Sequence, residues 1–247
     1  MKPLLRAELI KLRTTRTFVA LAAVAVGISV LLAGLVAALT EPTQRSVMED
    51  VFQADTSALF ILILAIVGIS GEWRHRTITS SLLAAPNRLR FLTAKTLAFA
   101  AAGLVLSLLI SITISVVGMI ILSARDLPTP ALGELIGQII RNAEVAALLG
   151  AFGLALGTLV RNQPVAIVGV LVLGFAIEPT VIALAPDVGR FTPFSALPAS
   201  IQQIPASDVG SDELDLLSPG LAVLAELAWI GAFFTAGAYL LRRRDLN

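Results

Sequence analysis

Six stretches of apolar residues follow one another along the chain, and nearly all Lys, Arg, Asp and Glu residues collect in the segments between them. The stretches fall at about 18–39, 53–71, 96–122, 135–160, 165–185 and 220–241. A helix of about 20 residues, rising 1.5 Å per residue, crosses the roughly 30 Å hydrocarbon layer of a bilayer. The pattern therefore predicts an all-α integral membrane protein with six transmembrane helices. The second stretch is strictly apolar only from Ala58 to Gly71 and extends back towards Val51 or Phe52. Only Arg161, Asn162, Gln163 and Pro164 separate the fourth from the fifth, which requires antiparallel neighbours. No internal repeat and no soluble domain of useful size remain, so residues 1–247 read as a single membrane domain.

Composition agrees. Hydrophobic residues make up 57% of the chain and charged residues 14%, with a mean hydropathy of +0.90; soluble proteins sit at roughly 45–50% and about 25%. The net charge of +1 says less than its distribution. With the amino terminus in the cytoplasm, 14 of the 18 basic residues lie on the cytoplasmic side: five before the first span, five in 72–95, Arg161 and three at the carboxyl end. Arg45, Arg125, Arg141 and Arg190 are the other four, and eleven acidic residues lie outside against three inside. The positive-inside rule thus puts both termini in the cytoplasm. The run from Phe18 to Leu39 is too long for a secretory h-region and reads as a permanent span.

The segment from Met1 to Arg16 places Leu5, Leu9 and Leu12 on one helical stripe among cations. That is the pattern of a helix lying in the cytoplasmic interface, near anionic headgroups; the alternative is a basic tail that only sets topology. The connection from Glu72 to Lys95 carries Arg74, His75, Arg76, Arg88 and Arg90 around apolar Ile78, Leu82 and Leu83. Thr77 or Thr79 would cap a short helix that Pro86 ends, and Asn87 would cap the helix entering the third span. On residue chemistry alone the segment reads equally as a docking helix for an acidic partner or as a basic loop.

Within the spans, Gly103, Ser107, Ser111 and Ser115 recur every four residues, and Gly153 and Gly157 form a G-x-x-x-G pair. Small residues allow close helix contact in lipid, which serves packing within the chain or an interface that moves or dimerises. Glu144, Glu178 and Glu226 lie in spans, where a charge is costly. Glu144 is placed to pair with Arg141, while Glu178 and Glu226 are close enough to span ends to reach the outer interface; a substrate or proton pathway is the other reading for each. The single histidine offers no metal site, cysteine is absent, and no catalytic constellation is present, so no enzyme activity, resident cofactor or nucleic-acid binding is expected of the chain. It contains no G-x-x-x-x-G-K-[ST] phosphate cradle, so energy for any transport must come from another chain or from an ion gradient.

The order Glu72, Arg76, Thr77, Leu82 or Leu83, Pro86, Arg88 or Arg90 and Lys95, set between the second and third of six spans, resembles the ABC-2 type permease family, the membrane subunits of bacterial ATP-driven exporters. The likeness runs along the whole chain, through the basic amino-terminal helix, the long polar segment 186–219 and the basic tail. Arg76 stands where many relatives carry Gly before the threonine. The resemblance implies a type V exporter-like transmembrane domain in the bacterial cell membrane. Residues 1–16 would be an interfacial elbow helix, 72–95 a coupling segment gripped by a separate nucleotide-binding ATPase that holds ATP and Mg, and 186–219, with Thr192, Pro193, Phe194 and Ser195, an outer re-entrant cap. It further implies pairing with a second permease copy or paralogue, and export of a hydrophobic or amphiphilic substrate. The alternatives are an ion-coupled secondary transporter and a noncatalytic assembly or sensor protein.

Overall fold

The computed structural model describes residues 1–44, 46–74, 87–160, 162–211 and 213–243, with the side chains of the last two left aside. Among these residues every regular element is helical. The chain forms α1 (Lys2–Thr14), α2 (Arg16–Leu39), a π-type turn (Met48–Phe52), α3 (Ser57–Arg74), α4 (Arg88–Ala124) and α5 (Leu132–Gly157). Then come α6 (Gln163–Leu184), α7 (Pro186–Gly189), α8 (Ala196–Gln202), α9 (Ala206–Val209) and α10 (Pro219–Arg243). Six helices, α2 to α6 and α10, are long and apolar enough to cross a membrane, the second of them counted from Met48. The protein is thus a multi-pass membrane protein by the length and composition of its helices. Because the spans alternate, one end of the bundle gathers α1, the close of α3 and the opening of α4. We call it the basic end, and the opposite end the acidic end.

The spans sit where hydropathy puts them, with two irregularities that have local causes. The second span is broken at residues 53–56, where Asp55 turns its Oδ1 to accept the backbone N–H of Ser57 at 2.7 Å and so caps α3. In α6 the helix widens into a π-type turn at Leu173–Ile177, just before Glu178 and Pro179. Proline has no N–H to give the preceding turn and its ring crowds it, so the helix opens there. At the start of α4, Asn87 Oδ1 accepts the N–H of Arg90 at 3.1 Å, the cap expected from the sequence. At 37 residues, or about 55 Å at 1.5 Å per residue, α4 is longer than a bilayer is thick and carries the chain well past it.

The hub is α5: 61% of its most apolar stretch is buried, against 17% for α2 and 22% for α6 and α10. Glycines make this possible. A Cβ at Gly150 would lie 2.6 Å from the Phe99 carbonyl oxygen of α4, one at Gly153 2.6 Å from the Leu62 carbonyl oxygen of α3, and one at Gly157 2.6 Å from the Ile69 side chain. A Cβ at Gly103 would collide with the Ala146 carbonyl. The small-residue pattern therefore serves helix contacts inside this chain. Phe152, on the far side of α5, meets Phe194 and Phe233 edge-on, each at 5.2 Å between ring centroids. Around that triad pack Leu197 and Ile201 of α8, a helix whose residues 196–201 are all buried.

Backbone contact at Gly150 leaves no room for a methyl group, whereas Gly169 has no atom within 4 Å of its missing Cβ. Gly150→Ala should lower stability by about 1–3 kcal/mol through overpacking, and Gly169→Ala should be neutral or stabilising by up to about 1 kcal/mol. Thermal unfolding of the two variants in one detergent checks the contrast.

Candidate functional site: a buried ion network at the base of the 75–86 segment

The stems of the connection between the second and third spans are joined by charge. Lys95 of α4 is 3% exposed, and its Nζ donates to Glu8 Oε2 at 2.7 Å and to Glu72 Oε1 at 2.8 Å. Lys11 donates to Glu8 Oε1 at 2.7 Å and reaches Glu72 Oε1 at 3.5 Å. Lys95 also lies 5.5 Å from the centroid of the Phe91 ring, where an ammonium is attracted to the π face. Two carboxylates and two ammonium groups from α1, α3 and α4 thus form one neutral cluster.

Local folding explains how α1 reaches it. Thr15 is extended, with φ −79° and ψ 117°, and separates α1 from α2. That break lets α1 leave the axis of the first span and lay Leu4 and Leu12 on a core cluster that includes Phe91, Leu92 and Phe99. The face of α1 turned to the rest of the chain is centred on Glu8, with Leu4, Leu5 and Leu12 half-buried beside it and Leu9 exposed. The leucine pattern gave no weight to an acidic residue. Glu8 sits inside because two lysines await it.

Other ties run from the same stems. Arg88 at the opening of α4 donates to the Leu241 carbonyl oxygen near the end of α10, where the unpaired carbonyls of a helix favour a cation. Arg74 reaches Gln163 Oε1, at the start of α6, at 3.5 Å. Arg90 is exposed. Arg76, Thr77, Ile78, Leu82, Leu83 and Pro86 lie outside the described residues. Of the coupling residues named from sequence, Glu72 and Lys95 are thus brought together in the network, while Glu8 and Lys11 are additions. A Glu and a Lys three residues apart on a leading helix were the only signal for those two.

A second polar network crosses the interior nearer the acidic end. Asp55 Oδ2 accepts from Ser107 Oγ at 2.7 Å and from Ser111 Oγ at 2.6 Å. Ser111 Oγ in turn accepts from Asn142 Nδ2 at 3.1 Å, and Asn142 Oδ1 accepts from Gln138 and Gln202, each at 2.9 Å. Ser107 and Ser111, read from sequence as packing residues, are therefore also donors to a carboxylate, while Ser115 bonds the Ser111 carbonyl of its own helix. The expected Arg141–Glu144 pair is not formed. Arg141 Nη2 donates instead to Gln138 Oε1 at 2.8 Å, since Gln138 is already fixed by Asn142. Glu144 is left exposed midway along α5, on a stripe with Leu132, Ile136 and Ile140.

Glu178 and Glu226 are both buried within the chain, 3% and 1% exposed. Both oxygens of Glu178 face the backbone N–H of Phe194 at 3.1 Å. Neither oxygen of Glu226 has a hydrogen-bond partner among the described residues. The segment between α6 and α10 folds back over them, with Trp229 Nε1 donating to the Phe191 carbonyl at 2.9 Å. No group of three or more potential metal ligands occurs among the described residues. The chain matches no protein-family model and no curated protein.

Burial alone would keep Glu8 protonated, but Lys95 and Lys11 outweigh it and hold the carboxyl below its ordinary value of 4.5. Its contribution is present above that value and is lost as pH falls through the lower, folded one. Stability in detergent should therefore decline below pH 4.5, and the decline should be shallower in Glu8→Gln. Lys95→Met, which leaves the half-exposed Lys11 as the one cation for two carboxylates, should cost about 3–5 kcal/mol. A denaturation series across pH for wild type and both variants measures these effects.

Proposed function

We propose that this chain is the permease subunit of an ATP-driven exporter of the ABC-2 type, with the 72–95 connection as the element through which a separate nucleotide-binding subunit moves the spans. The observation that carries the reading is the anchorage of that connection. Its stems are fastened to α1 by the Glu8–Lys11–Glu72–Lys95 cluster, to α10 through Arg88 and to α6 through Arg74. A push on residues 75–86 is then delivered to several helices at once, as a two-state rigid-body change between inward- and outward-open forms requires. A loop that only set topology would need no buried charge at its base. The distribution of basic residues supports a cytoplasmic location for this end, within reach of a soluble ATPase in a bacterial cell.

The uncovered α5 stripe of Leu132, Ile136, Ile140 and Glu144 supports a second permease copy or paralogue on that face, because a mid-span carboxylate in contact with lipid is costly. A second reading, an ion-coupled secondary transporter, is favoured by Glu226, which is buried without a hydrogen-bond partner. ATP dependence separates the two: the permease reading requires flux that needs the ATPase and survives an uncoupler.

The absence of cysteine makes orientation simple to measure. Ser80→Cys should label only from the cytoplasmic side and Glu213→Cys only from the outside. With the ATPase subunit present, Arg76→Ala or a flexible insertion after Leu82 should leave ATP hydrolysis running while export falls at least tenfold. Labelling of residue 80 from outside, or transport unchanged by both variants, overturns the assignment.

A further inference from the structure

A cavity of about 470 Å³ opens among α3, α5, α6, α8 and α9 in the half of the bundle towards the acidic end. Its volume lies within the roughly 300–1,000 Å³ range of small-molecule sites. Most of its wall is apolar, with Leu59, Phe175 and Phe194 among the larger side chains. Among the described residues the only charged ones in the wall are Asp55 and Asp208, with no Lys, Arg or His. We infer that this cavity binds a hydrophobic cation, its charge facing Asp55 and Asp208 and its apolar body against the aromatic and aliphatic wall.

Asp55 is the deciding group. Its three hydrogen-bond donors are the Ser57 N–H and the hydroxyls of Ser107 and Ser111, all neutral. No ion pair to it is formed among the described residues, although Lys11, Lys95 and Arg190 all find carboxylates. Neutral donors hold a carboxylate in place without cancelling its charge, so the field at the cavity wall stays negative. Arg141 is the cation linked to this network, through Gln138, Asn142 and Ser111, and it does not line the cavity. Gln202, which does line it, donates its amide to Asn142 and leaves its carbonyl oxygen as a further acceptor. Asp208 stands exposed on α9 at the rim, where it draws cations inward. An anionic amphiphile of the same size meets two carboxylates and no compensating charge. Shape alone would admit it, and charge excludes it.

That such a cation is also the exported substrate rests on the permease reading; that it binds does not. Tetraphenylphosphonium and tetraphenylborate share one shape and differ in sign, so they isolate the electrostatic part. The full chain in nanodiscs, without any ATPase subunit, should bind radiolabelled tetraphenylphosphonium saturably above empty discs, and tetraphenylborate should not displace it. Asp55→Asn should weaken binding at least tenfold. Asp208→Asn, at an exposed position that holds no core together, should weaken it severalfold. Ala58→Phe, which fills the cavity without touching a charge, should abolish it, and Glu41→Gln, exposed and outside the cavity, should leave it unchanged. Binding no greater than to empty discs, equal competition by tetraphenylborate, or wild-type affinity in Asp208→Asn and Ala58→Phe overturns the inference. Phosphonium binding without any ATPase association would sink the permease reading alone, and ATPase-coupled export without phosphonium binding would sink this assignment alone.

Discussion

The ammonium of Lys95, buried between the carboxylates of Glu8 and Glu72, is the constraint around which the basic end is organised. A lone ammonium at that depth would be costly by several kcal/mol, and so would either carboxylate. Neither α3 nor α4 can withdraw from the cluster without stranding a charge, and α1 cannot leave without giving up the bond from Lys95 to Glu8. The placement of α1, the closing turn of α3 and the opening of α4 are thus decided together. Lys11, about half exposed, completes neutrality from the rim. The arrangement joins the stems of the 75–86 segment by charge, and the bundle beyond it is joined by apolar contact, close-packed glycines and neutral hydrogen bonds.

That division of labour follows from the solvent. In lipid an apolar side chain gains little by leaving its surroundings for another helix, so association depends on close approach and on polar groups that cannot stay alone. Gly103, Gly150, Gly153 and Gly157 supply the first, bringing α5 onto the backbones of α3 and α4. Asp55, Ser107, Ser111, Asn142 and Gln138 supply the second across the same three helices. The break at residues 53–56 is part of the same design. It turns the chain so that one carboxylate both caps α3 and receives the hydroxyls of α4.

Span number, order and approximate limits were legible because hydropathy over about 20 residues has one structural solution in a bilayer. The caps at Asn87 and the short link before α6 were legible from local chemistry. Partners were not. Arg141 and Glu144 stand one turn apart and read as a pair, yet Gln138, on the other side of Arg141, was already held by Asn142 and took the guanidinium. Glu178 and Glu226 read as residues near span ends because sequence distance from a terminus says nothing of what folds back over it; segment 186–219 does so, and buries both. Glu8 was invisible for a related reason. A carboxylate on an amphipathic helix looks solvated until a lysine 87 residues later turns out to be its neighbour.

The two ends of the bundle use charge in opposite ways. At the basic end the carboxylates of Glu8 and Glu72 are met by lysines, so the cluster is neutral, holds its shape and has little call on a passing ion. Towards the acidic end Asp55 is met only by N–H and O–H groups, and Glu226 by none. Hydrogen bonds fix the position of a carboxylate but leave its field, which an apolar surround screens poorly. On the permease reading, a cation entering from the basic end would meet a neutral cluster first and the field of Asp55 only deeper in the bundle. On the same reading, an export cycle would need that attraction to be reversible: a movement that brought Arg141, linked to Asp55 through Gln138, Asn142 and Ser111, closer to the carboxylate would cancel it. The polar chain that ties α3, α4 and α5 together is thus also the route by which a shift of α5 would change what the cavity holds.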